Sequence, residues 1–146
     1  MTLGKNKNKD ESIKFAGNSH DIDEYLRAIF NNTGEPIFVK DEDFKFILVN
    51  DAFCSFFKMS RSQIIGSTLA ENFPPSEMEG FFAIDRQVLE LGREILCEET
   101  LSPTGVQPKR VITRKNRFTN AGGSYFLVGI IHDITECKQI EEKLKR

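Results

Sequence analysis

Histidine, cysteine and tryptophan are scarce in this chain. Its 146 residues include two histidines, three cysteines and no tryptophan. Cys54, Cys97 and Cys137 lack the spacing of a metal site or a disulfide framework, so we expect reduced thiols of the kind found in the cytoplasm. The motifs of a phosphate-binding loop, a nucleophile elbow and a zinc protease are also missing. We therefore predict no catalytic residues, no metal site and no enzymatic activity for this chain.

Long apolar segments and an excess of one charge are missing as well. The longest apolar run, 126–131, is far shorter than the ~20 residues that span a bilayer, and no apolar block follows the lysine-rich N-terminus as in a secretory signal. The net charge of −2 gives no general attraction to nucleic acid or membrane. The basic segment 109–117 has only Phe118 near it for base stacking. We predict a cytoplasmic chain that contacts neither nucleic acid nor membrane.

The residues that are present divide the chain into a tail and one domain. A hydrophobic content of 39%, with 13 phenylalanines, is sufficient for one core. Residues 1–20 are polar, and we predict a disordered tail or linker there. Residues 21–31 form a predicted amphipathic helix, because Ile22, Leu26 and Ile29 share one face.

The rest of the sequence predicts two strands, a block of helices and three further strands. The predicted strands are 37–40, 44–49, 93–101, 109–119 and 124–133. The predicted helices between them are 51–58, 60–65 and 77–91, and Ser76 is the expected cap of the last one. This order of elements is typical of an α+β fold.

A strand passes directly into a helix at Asn50. Apolar and aromatic residues precede it in the extended segment 44–49, and helical spacing begins with Phe53. The Asn50 side chain is expected to cap the helix by accepting from a free amide of its first turn. The segment Asn50-Asp51-Ala52-Phe53 resembles the strand-to-helix junction of PAS domains.

The same family pattern continues in Ile64-Ile65-Gly66, in Asp85-Arg86-Gln87-Val88-Leu89 with Gly92, and in His132-Asp133-Ile134-Thr135-Glu136. Over about residues 22–140 the sequence is identified as a member of the PAS family. The resemblance implies a five-stranded antiparallel sheet in the order 2-1-5-4-3, with helices across one face and further helices at both ends. It places the PAS domain, including the N-terminal amphipathic helix, at residues 21–135.

The resemblance also implies a sensory module belonging to a larger signalling protein. Residues 136–146 begin an output helix, in which Cys137, Ile140 and Leu144 have the spacing of a coiled-coil seam. A small ligand or a partner would alter the domain, and the change would pass through Ile131, His132, Asp133 and Thr135 into that helix. The expected downstream unit is a histidine kinase transmitter of a phosphorelay, with a diguanylate cyclase as the second choice.

The last strand predicts an uncovered surface. Leu127 and Ile131 lie on one face, and Phe126, Val128 and Ile130 lie on the other, so both faces are apolar. Because helices cover one face, the other also needs a cover. The helix at 21–31, from the same chain or from a second copy, has the length and polarity to provide it. We therefore predict a homodimer formed through the terminal helices.

Asp85 is the polar residue that stands out, because it falls within an apolar helix stripe. It either binds a ligand or, as we favour, forms a structural pair with a basic group or a backbone amide. If Ile112 and Phe118 face inward, Arg114 and Asn116 do so too, and Arg114 is then either a ligand donor or the partner of Asp85. The candidate pocket residues are therefore Phe46, Phe57, Phe82, Asp85, Arg114 and Asn116.

Two PAS cofactors are disfavoured, and two other functions stay open. The helix at 77–91 has no histidine for haem, and the Asn-Cys-Arg-Phe type of segment used by photoactive flavin relatives is absent. The cofactor, if there is one, is unknown. The domain is alternatively a purely structural dimerisation module without a ligand. A more remote alternative is a small cone-shaped α+β isomerase with Asp85 as a buried base.

Overall fold

The structure, a computed structural model, describes residues 19–145, and most of the predicted tail at 1–20 lies outside them. The elements are α1 (Ser19–Asn32), β1 (Ile37–Lys40), β2 (Phe46–Val49), α2 (Asp51–Phe57), α3 (Arg61–Ile64), a 3-10 turn (Ala70–Asn72), α4 (Pro75–Leu91), β3 (Ile95–Leu101), β4 (Lys109–Thr119), β5 (Tyr125–Asp133) and α5 (Thr135–Lys145). The chain divides into two compact units at residue 34, so that α1 belongs to the first and every later element to the second. The predicted domain limits, 21–135, stay a prediction.

The five strands form one antiparallel sheet in the order β2-β1-β5-β4-β3, as predicted. The first strand lies against the last, and Phe38 pairs with Gly129 in their register. The long strand β4 pairs with β5 on one side and with β3 on the other. The hairpin near the start of the domain is thus joined to the strand that leads into α5.

The strand-to-helix junction is fixed by Asn50, which is fully buried. Its Oδ1 accepts from the amide of Phe53 at 3.0 Å, which is the predicted cap. The same oxygen accepts from the amide of Ile37 at 2.9 Å, and Nδ2 donates to the Glu35 carbonyl at 2.9 Å. One side chain therefore caps α2 and also fixes the start of β1.

Local chemistry explains where two elements differ from the predicted limits. The helix α4 begins at Pro75 with Pro74 as its cap residue, so the predicted cap at Ser76 is wrong. Proline suits a first helical turn, because no intrahelical partner exists there for its missing N–H. Phe44 has a φ of 64° in the turn before β2, which therefore starts at Phe46.

The helices of the second unit pack on one face of the sheet. Phe53, Phe57, Ile64 and Val88 from these helices join a buried cluster with sheet residues such as Leu127. The other face leaves large apolar side chains exposed: Leu96, Phe118 and Ile130. The two-sided apolar character predicted for the last strand is therefore present. Among residues 19–145, no helix has the length and apolar content to cross a bilayer.

Candidate functional site

A small cavity lies between the sheet and the helices. Its volume is about 50 Å³, which is enough for a few water molecules and well below the ~300 Å³ of a typical drug-sized site. Phenylalanine rings form much of the wall, including those of Phe46, Phe53 and Phe57. Charged and polar side chains from three strands complete it: Lys40, Glu99, Thr113 and Lys115.

A buried ion cluster forms the polar side of this cavity. Asp85 on α4 is fully buried, and its two carboxylate oxygens each accept from a lysine. Lys40 Nζ lies 2.7 Å from Oδ2, and Lys115 Nζ lies 2.9 Å from Oδ1. Lys40 and Lys115 are 5% and 3% exposed, so both ammonium groups depend on this carboxylate.

Glu99 and Thr113 extend the cluster onto β3 and β4. A Glu99 oxygen lies 3.8 Å from Lys115 Nζ, and the Thr113 hydroxyl donates to the other Glu99 oxygen at 3.0 Å. The cluster therefore contains two ammonium and two carboxylate groups, and its formal charge is balanced.

Gly129 makes the crowding of this cluster possible. It lies on β5 between β1 and β4, opposite Phe38 on one side and Lys115 on the other. A Cβ at this position would lie 2.1 Å from an atom of the Phe38 ring. The missing side chain therefore leaves the space over β5 that the Phe38 ring occupies, and Lys40 Nζ lies 5.5 Å from the centroid of that ring.

The cluster shifts the pKa values of its members in different directions. Burial raises the pKa of Asp85, but Lys40 and Lys115 lower it by more, and the result lies below the ordinary value. Burial lowers the pKa of Lys115, but Asp85 and Glu99 raise it above the ordinary value. For Lys40, burial outweighs the attraction of Asp85, and the pKa lies below the ordinary value. Lys40 is therefore the cation whose charge is least supported.

The predicted pocket residues fall into three groups. Phe46 and Phe57 line the cavity. Asp85 forms the structural pair that we favoured, with lysines as its partners. Phe82 is not among the lining residues, and its ring stacks on Phe44 with centroids 5.3 Å apart.

Arg114 and Asn116 correct the predicted phase of β4. Arg114 is exposed on the outer face and lies 3.9 Å from Glu94, and Asn116 donates to the same glutamate at 3.2 Å. The inward residues are Val111, Thr113 and Lys115 instead. The phase that turns Ile112 and Phe118 inward is therefore wrong. The opposite phase buries Lys115, and Asp85 provides the compensating charge.

The sequence reasoning did not assign four polar members of the cluster to the cavity: Lys40, Glu99, Thr113 and Lys115. A signal for the two lysines was present, because a carboxylate in the apolar stripe of α4 needs a partner, and a cation on the facing sheet is one such partner. Val111 and Thr113 share the phase of Lys115 on β4. The alternation of residues along β4, taken together with the need of Asp85 for a charged partner, would have identified Lys115.

The strand β5 connects the cavity to the C-terminal helix. Ile131 lines the cavity, and its amide donates to the Pro36 carbonyl at 2.9 Å. The next residue, His132, faces out and lies 2.7 Å from a carboxylate oxygen of Glu35 through Nδ1. Two consecutive residues of β5 are thus bound to the segment just before β1.

Two hydrogen bonds hold the start of α5 to β4, and a third joins it to the end of β5. The Ile134 amide donates to the Arg110 carbonyl at 2.9 Å, and the Arg110 amide donates to the Thr135 hydroxyl oxygen at 3.0 Å. The Thr135 hydroxyl in turn donates to Asp133 Oδ1 at 2.6 Å. A displacement of β5 relative to β4 would therefore reach the first turn of α5 directly.

A metal centre is not formed by the residues that the structure describes, because no three His, Cys, Asp or Glu side chains among them are grouped to hold an ion. The three cysteines are free thiols: Cys54 and Cys97 are half-buried, and Cys137 is exposed on α5. Burial, followed by the charge of Glu99, raises the pKa of Cys97 to about 11. Its thiol is therefore a weak nucleophile near neutral pH.

Comparison with known proteins agrees with this architecture. The sequence model of the family described as PAS fold matches residues 30–139. The uncharacterized protein y4lL of Sinorhizobium fredii is 35% identical over 127 residues, which cover 85% of this chain and 15% of that protein. The chain therefore spans only a small part of that relative.

Solved structures give the same fold. The PAS domain of an HTR-like protein from Haloarcula marismortui is similar with a TM-score of 0.67 and 20% identity, covering 88% of this chain and 99% of that one. A PAS domain from a two-component sensor histidine kinase has a TM-score of 0.63 and 16% identity, and the match covers 79% of this chain and 98% of that one. With the family match over most of its length, the chain belongs to the PAS family.

Proposed function

We propose that this chain is a sensory module that passes a change in its cavity to a downstream signalling domain through α5. The observation that carries the proposal is the position of Ile131, which lines the cavity four residues before the helix starts at Thr135. The chain has a regulatory role in this proposal and no catalytic one. The lowered pKa of Asp85 and its two ammonium partners make it a poor proton acceptor, which argues against the isomerase alternative.

The downstream domain that we propose is a histidine kinase transmitter of a phosphorelay, with a diguanylate cyclase as the second choice. The support is fold-level, since a similar solved PAS domain is part of a two-component sensor histidine kinase. We also propose a cytoplasmic location, and the free thiols of the three cysteines support it. The lining residues of the cavity include neither histidine nor cysteine, which supports a ligand other than haem or a photoactive flavin.

A homodimer through the terminal helices is part of the proposal. The support is a set of exposed apolar side chains on both helices: Tyr25, Leu26 and Ile29 on α1, and Ile140 and Leu144 on α5. Sedimentation velocity of the chain without residues 1–31 should show weaker self-association than the intact chain. Unchanged association would remove α1 from the interface.

The relay can be tested with a spin label on Cys137, which is the exposed cysteine among the described residues. Ile131→Val removes a methyl group from the cavity wall, and Ile130→Val, on the outer face of the same strand, is the matched control. We expect the label to change mobility in Ile131→Val and to keep it in Ile130→Val. Mass spectrometry confirms that only Cys137 carries the label.

A further variant, Thr135→Val, shows whether the label reports on the helix junction. The variant removes the hydroxyl bonded to Asp133 and Arg110, so we expect increased mobility of the label. If Thr135→Val changes the spectrum of the label but the spectra of Ile131→Val and Ile130→Val are the same as each other, the proposed path from the cavity is wrong.

A second candidate function is a structural dimerisation module without a ligand. The observation in its favour is the size of the cavity, about 50 Å³, within a core filled by phenylalanine rings. Native mass spectrometry of protein purified from its own host separates the two functions. A retained small molecule contradicts the structural module, and its absence, together with no stabilisation by a metabolite panel, contradicts ligand sensing.

A further inference from the structure

The two buried lysines have more hydrogen-bond donors than the cluster uses. An ammonium group carries three N–H donors. Within the described residues, Lys40 Nζ and Lys115 Nζ each make a single hydrogen bond, to the two oxygens of Asp85. Glu99 lies 3.8 Å from Lys115, which is beyond hydrogen-bond distance. Lys40 Nζ also faces the Phe46 and Phe38 rings, whose centroids lie 4.8 and 5.5 Å away. Most of the donors on the two ammonium groups still lack an oxygen acceptor, and both lysines line the cavity.

The charge of the cluster restricts what that acceptor is. Two ammonium and two carboxylate groups already balance one another, and Lys40 and Lys115 are almost completely buried. An added anion would introduce an uncompensated charge where desolvation is costly. An added cation would meet the two ammonium groups. The charge balance therefore favours a neutral molecule.

The apolar part of the cavity wall restricts the rest of the bound molecule. Phe46, Phe53 and Phe57 present rings to the cavity, and Leu101 and Ile131 present aliphatic groups. A molecule with methyl groups would contact these side chains, whereas water would leave them poorly packed. The volume of about 50 Å³ limits the molecule to a few heavy atoms.

We propose that the cavity binds a small neutral carbonyl compound, whose oxygen accepts from Lys40 and Lys115 and whose alkyl groups lie against the phenylalanine rings. The proposal rests on the sensory function proposed above and names the chemical class of its ligand. A ketone oxygen offers two lone pairs and no donor, so it matches two facing N–H donors. Binding places the alkyl part beside Ile131, which is the residue that leads to α5.

Acetone and acetate are a matched pair of probes, because they have the same number of heavy atoms and nearly the same shape but differ in charge. Each is titrated into the full chain while the methyl NMR signals of Leu101 and Ile131 are followed. We expect saturable shifts with acetone and binding at least ~tenfold weaker with acetate. Tighter binding of acetate, or shifts with neither probe, overturns the proposal.

Lys40→Met tests the donor directly, and Lys45→Met is the control, because Lys45 is exposed next to the same hairpin. We expect acetone affinity to fall at least ~tenfold in Lys40→Met and to stay unchanged in Lys45→Met. Equal affinity in both variants contradicts the proposal. If Lys40→Met does not fold, Lys115→Met replaces it, and the acetone–acetate comparison on the natural chain decides independently.

The label on Cys137 separates this inference from the relay. Acetone binding without a change in label mobility overturns the relay and leaves the ligand class standing. Absence of acetone binding, together with a label that responds to Ile131→Val, overturns the ligand class and leaves the relay standing.

Discussion

The two faces of the sheet differ in a way that reverses the usual distribution of charged and apolar residues. On β4, Lys115 is 3% exposed on the inner face, whereas Phe118 is 42% exposed on the outer face. The inner face accommodates charge because Asp85 on α4 completes the cluster. The outer face retains apolar side chains that helices α2 to α4 do not cover. A facing partner, and not hydrophobicity alone, therefore decides which side of a strand is buried.

Removal of the carboxylate that Lys40 and Lys115 share should cause the largest loss of stability. Asp85→Asn keeps the shape of the side chain but leaves Lys40 and Lys115 buried without their counter-charge, so we expect a loss of about 3–5 kcal/mol in the free energy of unfolding. Urea denaturation measures the loss. Asp43→Asn, in the exposed turn before β2, is the control and should change stability by less than ~0.5 kcal/mol. A similar small change in Asp85→Asn would mean that the lysines do not depend on the carboxylate.

A methyl group on the inner face at β5 should have the next largest effect. Gly129→Ala places a Cβ 2.1 Å from the Phe38 ring, and we expect a destabilisation of about 1–3 kcal/mol from the forced displacement. Gly80→Ala on α4 is the control, because nothing lies within 4 Å of its added Cβ. Alanine has a higher helix propensity than glycine, so the free energy of unfolding of this control should rise by up to ~1 kcal/mol. Equal effects of the two substitutions in thermal unfolding would contradict the close approach over β5.

Acidification tests the charge on the inner face. The pKa of Asp85 is lowered in the folded chain, so its contribution to stability is present above the unfolded value of about 3.9 and is lost as the pH falls through the folded pKa. We expect the urea midpoint to fall more steeply below about pH 4 in the natural chain than in Asp85→Asn. Parallel curves for the two proteins would show that Asp85 does not titrate with a lowered pKa.

A polar substitution on the outer face should have the smallest effect on folding. The Phe118 ring stacks on Phe126 with centroids 5.2 Å apart, and such a cross-strand pair contributes less than ~1 kcal/mol. Phe118→Ser should therefore cost little in urea denaturation, while sedimentation velocity shows weaker self-association if this face is covered in a dimer. A large loss of stability would show that the outer face is part of the core of the single chain.

Much of the fold was predictable because its signals are local. Asn50 caps α2 as expected, since an asparagine between an aromatic strand and a helix stripe has a short-range role. The strand order followed from the family resemblance carried by that junction and by the segment at Thr135. The start of α4 at Pro75 was misjudged by two residues, because proline and serine are both suited to that end of a helix.

The candidate site depended on information that no single segment contains. The helical spacing around Asp85 was enough to predict a partner for it, because a carboxylate in an apolar stripe cannot be buried alone. The packing of α4 on the folded sheet selects Lys40 and Lys115 as the partners, with Arg114 on the outer face. The cost of burying each lysine is offset by a group 30 or more residues away, and this compensation exists only once α4 lies across the sheet.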